Sequence, residues 1–182
     1  MRETTIARNY AEALLSLAQK ANDPHGWGKM VSDIASAVGT DLTLRRFLES
    51  PKVSADQKSE ILAKALQDRV PRILVRYLQA LIKNRRQMMI PVIATEYFAL
   101  LDQVENRVHA EVTLAREPSK ADQTMIKERL GSALKKDVVT HVRIDPAILG
   151  GVIVKIGDTV MDGSVRRRLA TLRSRMLATV TR

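Results

Sequence analysis

Between residues 5 and 21 the apolar positions fall at Ile6, Tyr10, Ala13, Leu14, Leu17 and Ala21, and a second set, Ala7, Ala11, Leu15 and Ala18, runs beside it. Steps of three and four predict a helix. At about 100° per residue the two sets merge into an apolar arc roughly 200° wide, about twice what packing on one neighbour requires. The turn cluster Asn22-Asp23-Pro24-His25-Gly26 separates it from a second predicted helix, with Trp27, Met30, Val31, Ile34 and Val38 inward and Gly39 as its stop. A short third helix carries Leu42, Phe47 and Leu48 and breaks at Ser50-Pro51-Lys52-Val53. Ser54 and Gln57 then read as a capping box opening a fourth helix that buries Ile61, Leu62, Ala65 and Leu66. Pro71 suits the first turn of a fifth. Its Ile73, Leu74, Val75, Tyr77, Leu78, Ala80, Leu81 and Ile82 again cover roughly 200°. A sixth starts near Gln87 or Met88, takes Pro91 in its first turn, and turns Ile93, Tyr97, Leu100, Leu101 and Val104 inward.

The period then changes. Val108, Ala110, Val112 and Leu114 alternate with Arg107, His109, Glu111 and Thr113, as in a half-buried strand. Glu117-Pro118-Ser119 opens a helix expected to bury Met125, Ile126, Leu130 and Leu134. Val138, Val139, Val142 and Ile144 suggest a second strand. The segment 145–151 turns into a third, residues 152–156, and Gly157-Asp158 tightens a hairpin into Thr159-Val160-Met161. Ser164 caps a final helix expected to bury Val165, Leu169, Leu172 and Met176. The fold expected is mainly α: a six-helix bundle over residues 1–105, then a small α+β domain over residues 106–182.

Composition narrows the chemistry. Among 182 residues there is no cysteine, which excludes disulfides and thiolate catalysis. Aromatics are 3%, so the core is built from aliphatic residues and Met, as suits helices. The seven methionines are expected at core positions as gap-fillers. No apolar run approaches the ~20 residues that span a bilayer. The start, Met1-Arg2-Glu3-Thr4-Thr5, has no signal-like apolar stretch, and Glu3 and Glu12 argue against a transit peptide, so a soluble cytosolic protein is expected. The net charge of +10 is uneven: residues 1–105 hold 15 Lys and Arg against 12 Asp and Glu, residues 106–182 hold 15 against 8. An acidic partner is expected for the second part.

Catalytic and metal-binding patterns do not emerge. There is no GxxxxGK[ST] or GxGxxG, and Gly150-Gly151 precedes a strand, where a tight turn explains it. His25, His109 and His141 are not at metal-ligand spacing, and His109 reads as a solvated histidine. Asp158 and Asp162 flank a hairpin, where turn chemistry accounts for them. Two features ask for more. The wide arcs on the first and fifth helices suit either central packing or a groove that accepts an amphipathic helix. Arg166-Arg167-Arg168 sit in a first helical turn, where cations oppose the macrodipole, with Arg173 and Arg175 beyond. A solvated face or an acidic partner explains these arginines.

Several segments together resemble one family, the delta subunits of F-type ATP synthase, relatives of the mitochondrial oligomycin-sensitivity-conferring protein. Residues 6–14, Ile-Ala-Arg-Asn-Tyr-Ala-Glu-Ala-Leu, resemble its "YAxAL" opening. Phe47 to Ser54, followed by Lys58, is similar to "FLxSPxVSxxxK", and Leu81 to Arg86 to "LxxNxR". Asp145-Pro146, Leu149 to Asp158, and Asp162-Gly163-Ser164-Val165-Arg166 with Leu169 and Leu172 resemble the family signature in order and spacing.

The resemblance implies a non-catalytic stator subunit without cofactor or metal, one copy per complex. It implies an N-terminal domain that grips N-terminal segments of the alpha subunits in a groove between its first and fifth helices. The residues this marks are Ile6, Ala7, Tyr10, Ala11, Leu14, Leu15 and Ala18 with Leu74, Tyr77, Leu78, Leu81 and Ile82. On that reading Ala11→Arg blocks the groove without unfolding the chain. The C-terminal domain is implied to bind the C-terminal helices of the b subunits, with Arg166, Arg167 and Arg168 as further partner-binding candidates. The implied location is the cytoplasmic face of the bacterial inner membrane, as a peripheral protein. The alternative of another class is a basic nucleic-acid-binding protein, which the charge favours and the scarcity of stacking aromatics opposes.

Overall fold

The computed structural model describes residues 2–67 and 69–180. The chain is mainly helical with one small sheet and forms two compact units, Met1–Leu101 and Asp102–Arg182. The division falls inside a helix, one turn earlier than the change of period suggests.

The first unit is built from α1 (Arg2–Lys20), α2 (Pro24–Thr40), α3 (Leu42–Glu49), α4 (Ala55–Leu66), α5 (Arg72–Lys83) and most of α6 (Ile90–Val104), with a 3-10 turn at Gln87–Met89 before α6. Polar side chains set the boundaries. Asp23 accepts from the Gly26 N–H and starts α2. Asp41 ends α2, and its carboxylate accepts from the Thr43 and Leu44 N–H groups to start α3, so one residue serves two helices. The Ser54–Gln57 capping box is complete: the Ser54 hydroxyl accepts from the Gln57 backbone N–H, and the Gln57 side-chain amide oxygen accepts from the Ser54 backbone N–H. Pro71 stands just before α5, one place earlier than expected, and its carbonyl accepts the first intrahelical bonds.

The core of this unit gathers Ala7, Ala11, Leu14, Trp27, Val31, Val38, Leu48, Leu74, Leu78, Ile93 and Tyr97 around α1. The Tyr97 hydroxyl donates to the Pro24 carbonyl at 2.7 Å, which lets a buried phenol satisfy its polar end. Two expectations fail here. Val104, at the end of α6, is exposed. On α4, Ile61 and Ala65 are exposed, while Lys58 and Ser59 are buried. The apolar side of α4 instead forms one wall of an apolar cleft, opposite Ile34 and Val38 of α2 and Leu44 and Phe47 of α3.

The second unit holds a four-stranded sheet ordered β2-β1-β3-β4, from β1 (Arg107–Leu114), β2 (Asp137–Ile144), β3 (Val152–Ile156) and β4 (Thr159–Asp162). β1 and β2 run parallel, so the chain crosses back through α7 (Lys120–Leu134) between them. β3 runs antiparallel to β1, and β4 returns from β3 by a two-residue hairpin, with Ile156 opposite Thr159. Ala110, Val112, Val138 and Val154 form the buried centre, covered by Ile126, Leu130 and Leu134 of α7. Met125 lies off that face and is exposed, as are Met161 and Met176, so these methionines are not core fillers. β2 is an edge strand, and its last apolar residues, Val142 and Ile144, are exposed, with no described residue of the unit covering that end.

Helix α8 (Val165–Val180) closes the chain. Ser164 caps it as expected, its hydroxyl accepting from the Arg167 N–H. The expected burial of Val165, Leu169, Leu172 and Met176 does not occur, and every residue of 165–177 is exposed. The apolar stripe is real, but the described residues of the unit leave most of it uncovered.

Candidate interaction faces

Helices α1 and α5 meet at Tyr10. The Tyr77 hydroxyl donates to the Tyr10 carbonyl at 3.0 Å, and the Asn84 side-chain N–H donates to the Tyr10 hydroxyl at 3.3 Å. Burial pushes the Tyr77 phenol well above its ordinary range, with the nearby Tyr10 adding to the shift, so Tyr77 remains a neutral donor.

The twelve candidates on these helices divide sharply. Ala7, Ala11, Leu14, Leu15, Ala18, Leu74, Leu78, Leu81 and Ile82 are buried. They are interior residues, and all but Ile82 join one apolar cluster. A docked helix cannot touch them without displacing the unit's own packing. Ala11 is fully buried, so Ala11→Arg disrupts the core rather than leaving the fold intact. The wide arcs therefore arise mainly from central packing.

Ile6, Tyr10 and Tyr77 remain half-buried at the surface. Each belongs to a stripe at helical spacing: Ile6, Tyr10, Ala13 and Leu17 on α1, and Ile73, Tyr77 and Ala80 on α5, with Asn84 just past its end. Ala13, Ile73 and Ala80 are exposed or partly so at the edge of the packed core. Each of these small or β-branched residues lies within one helical turn of Tyr10 or Tyr77. Sequence reasoning passed over Ala13 and Ile73 because an apolar arc does not disclose which of its edges faces solvent.

In the second unit, the segments that carry the family resemblance form the base of α8. Ile148 is buried, Leu149 has a positive φ of 65°, and the carbonyl of Gly150 receives the Val165 N–H at 2.9 Å. Gly151 has φ of 77°, and a Cβ there would strike the Gly163 carbonyl, so the backbones pass too closely for any side chain. Asp162 accepts from the Ser164 N–H at 2.9 Å. That bond and the Ser164 hydroxyl hold the Asp162 carboxyl below the usual carboxylate range, with Arg167 and Arg166 contributing. The glycines thus serve a tight crossing, as expected, and Arg166, Arg167 and Arg168 lie on the exposed first turn that this crossing launches.

One cluster escaped the sequence. The parallel register of β1 and β2 brings His109 and His141 side by side, rings stacked with centroids 5.1 Å apart and Nδ1 of His109 at 2.9 Å from Nε2 of His141. Nε2 of His109 lies 3.1 Å from an Asp102 carboxylate oxygen. His109 is exposed, but engaged at both ring nitrogens. Among the described residues no group of three or more His, Cys, Asp or Glu side chains could hold a metal ion. No helix among them is long and apolar enough to cross a membrane.

Comparison with known proteins accords with this architecture. The family model described as ATP synthase delta (OSCP) subunit matches residues 6–176. The chain is 57% identical over 172 residues to ATP synthase subunit delta of Gemmatimonas aurantiaca, covering 94% of this chain and 93% of that one. It is 36% identical over 168 residues to the protein of the same name from Methylobacillus flagellatus, covering 92% and 94%. Among solved structures it resembles a chain of the mitochondrial ATP synthase hexamer of Toxoplasma gondii, with TM-score 0.58 at 22% identity over 94% of this chain and 97% of that one, a likeness of fold.

Proposed function

We propose how this chain, which belongs to the ATP synthase delta (OSCP) subunit family, performs its work as a non-catalytic stator component of a rotary ATP synthase: the first unit holds N-terminal helical segments of the alpha subunits, and the second holds the C-terminal helices of the b subunits. The observation that carries this reading is the face shared by α1 and α5. Tyr10 of α1 meets Tyr77 of α5, with Ile6 and Ala13 one turn away along α1 and Ile73 one turn away along α5, at the surface of the packed core. Apolar anchors on a preformed surface bind a helix without first paying for their own ordering.

A stator must resist torque, so its joints need slow dissociation rather than chemistry. The basic balance of residues 106–182 supports an acidic partner for the second unit, steered and oriented by charge. The bacterial relatives support a peripheral position at the cytoplasmic face of the inner membrane, as part of the complex. The nucleic-acid alternative finds no support in the family or in the named relatives.

The test is reconstitution from purified parts: the cognate catalytic head, a soluble segment of the b stalk and this chain. The reading expects a complex of all three by native mass spectrometry that forms only when the chain is added. Head and stalk segment associating equally well without the chain would overturn it.

A further inference from the structure

We propose that Asp102, His109 and His141 form a proton-counting clasp on the open face of the sheet: it stays closed through the uptake of one proton, and a second proton opens it and passes His141 to Glu111. The device belongs to the second unit alone and does not depend on what that unit binds.

Ala110, Val112, Val138 and Val154 lie on the face that α7 covers, so the odd-numbered residues of β1 and β2 share the opposite face. His109 pairs with Val139 and Glu111 with His141, which makes the two histidines diagonal neighbours and sets Glu111 directly across from His141. The two rings lie within 21° of parallel, with Nδ1 of His109 at 2.9 Å from Nε2 of His141. That distance is a hydrogen bond, so one proton lies between the rings. On its far side His109 directs Nε2 at an Asp102 carboxylate oxygen 3.1 Å away. An ionised carboxylate only accepts, so Asp102 fixes a proton on that Nε2.

These contacts set the proton inventory. With both rings neutral, His109 carries its proton on Nε2, and its Nδ1 lone pair accepts from the Nε2–H of His141. One further proton fits in either ring. It enters at Nδ1 of His141, or at Nδ1 of His109 with His141 in its other tautomer. Either way one proton remains between the two nitrogens, and the bond survives. With two further protons an N–H faces an N–H, both rings are cations, and the contact parts.

Neighbouring charges decide where the freed ring goes. Glu105 is paired with Arg107 at 2.9 Å, and Asp137 lies between Arg107 at 3.8 Å and Lys127 of α7 at 3.3 Å. Protonated His109 keeps Asp102. Glu111 is the carboxylate across the ladder from His141, with Lys155 of β3 on its other side. Its contact with Arg143 is long, 3.7 Å, between side chains 44% and 73% exposed. An exposed pair of that kind contributes little, so a cationic His141 directly opposite displaces it. The closed state thus has a defined counterpart: two imidazolium–carboxylate pairs, with Arg143 released to solvent. Acid converts the first into the second.

The experiment labels the histidines of the full chain isotopically and follows their ring nitrogens by NMR from about pH 8 to about pH 5, the span in which imidazoles ordinarily titrate. Proton uptake is read as steps of the pair rather than of either ring. The through-hydrogen-bond coupling between Nδ1 of His109 and Nε2 of His141 is expected at neutral pH, persists through the first step and vanishes in the second. The Glu111 carboxyl resonance moves in the second step. Glu111→Gln removes the partner of the open state and is expected to shift the opening to lower pH. His141→Gln, whose side-chain N–H still donates to Nδ1 of His109, leaves a single step. Far-ultraviolet circular dichroism stays constant throughout. Absence of the coupling at every pH, a coupling that outlasts the second step, or an opening that Glu111→Gln leaves in place overturns the proposal. A loss of secondary structure in the second step would make it unfolding, and overturns it too.

Discussion

Lys58 places its ammonium 2.7 Å from the Leu48 carbonyl, at the C-terminal end of α3, and reaches the Ser50 carbonyl at the same distance. Gln87 donates a further bond to the Leu48 carbonyl at 2.9 Å. A buried lysine thus closes the open end of one helix from the first turns of another, where its charge also meets the negative end of the α3 dipole. The Ser-Pro break and the lysine eight residues after Ser50 are one device, and its role is architectural.

Replacing Lys58 by Met keeps the length and apolar stem but removes both charged bonds, leaving the Leu48 carbonyl to Gln87 alone and taking the ammonium from the Ser50 carbonyl. We expect a loss of about 1.5–3 kcal/mol, the cost typical of removing hydrogen bonds to a charged group. Urea denaturation followed by circular dichroism checks this. A loss below a few tenths of a kcal/mol would mean that water replaces the ammonium fully.

The α1–α5 face separates two kinds of substitution. Ile73→Asp alters an exposed residue and is expected to leave stability within about 0.5 kcal/mol of the parent. It weakens binding of a peptide from the alpha N-terminus because it sets a charge among apolar anchors. Ala11→Arg forces a long cation into the core and is expected to unfold the unit. Thermal unfolding of the two variants distinguishes them before any binding is measured.

Gly151→Ala tests the crossing beneath α8. The positive φ and the collision with the Gly163 carbonyl both oppose a side chain. The expected cost is about 1–3 kcal/mol in the second unit. Hydrogen exchange at the Gly163 and Val165 amides, both bonded across this crossing, reports it directly. Unchanged protection there contradicts the account.

Asp162 gives the base of α8 a pH dependence of known sign. Its carboxyl is held below the ordinary range in the folded chain, so in the unfolded chain it binds protons more readily. Its contribution is fully present above the unfolded Asp pKa and is lost as pH falls through the lower folded value. We expect the Ser164 amide resonance to titrate with Asp162 in acid, and Asp162→Asn to remove that step. A titration at or above the ordinary Asp range would contradict it.

Much of this was legible along the chain because local chemistry repeats the global choice. Ser54 with Gln57, Pro71, Ser164 and the alternating residues 107–114 each mark an element where the structure has one. Burial was legible only where one partner was available. The stripe on α8 has the period of a buried face, yet the periodicity of a sequence cannot say whether the covering surface lies in the same chain. The arcs on α1 and α5 posed the converse problem: nine of twelve candidates were absorbed by the unit's own core, and the face that remains includes Ala13 and Ile73 at its edges. The His109–His141 pair depended on a parallel register that no local pattern encodes.

The most direct test of the stator account is calorimetric titration of the full chain with a peptide from the N-terminus of its cognate alpha subunit, at low and high salt, beside the Ile73→Asp variant. The account predicts saturable binding with a negative heat-capacity change and little dependence on salt, weakened by the variant. Absence of binding at either salt, or equal binding by parent and variant, would contradict it.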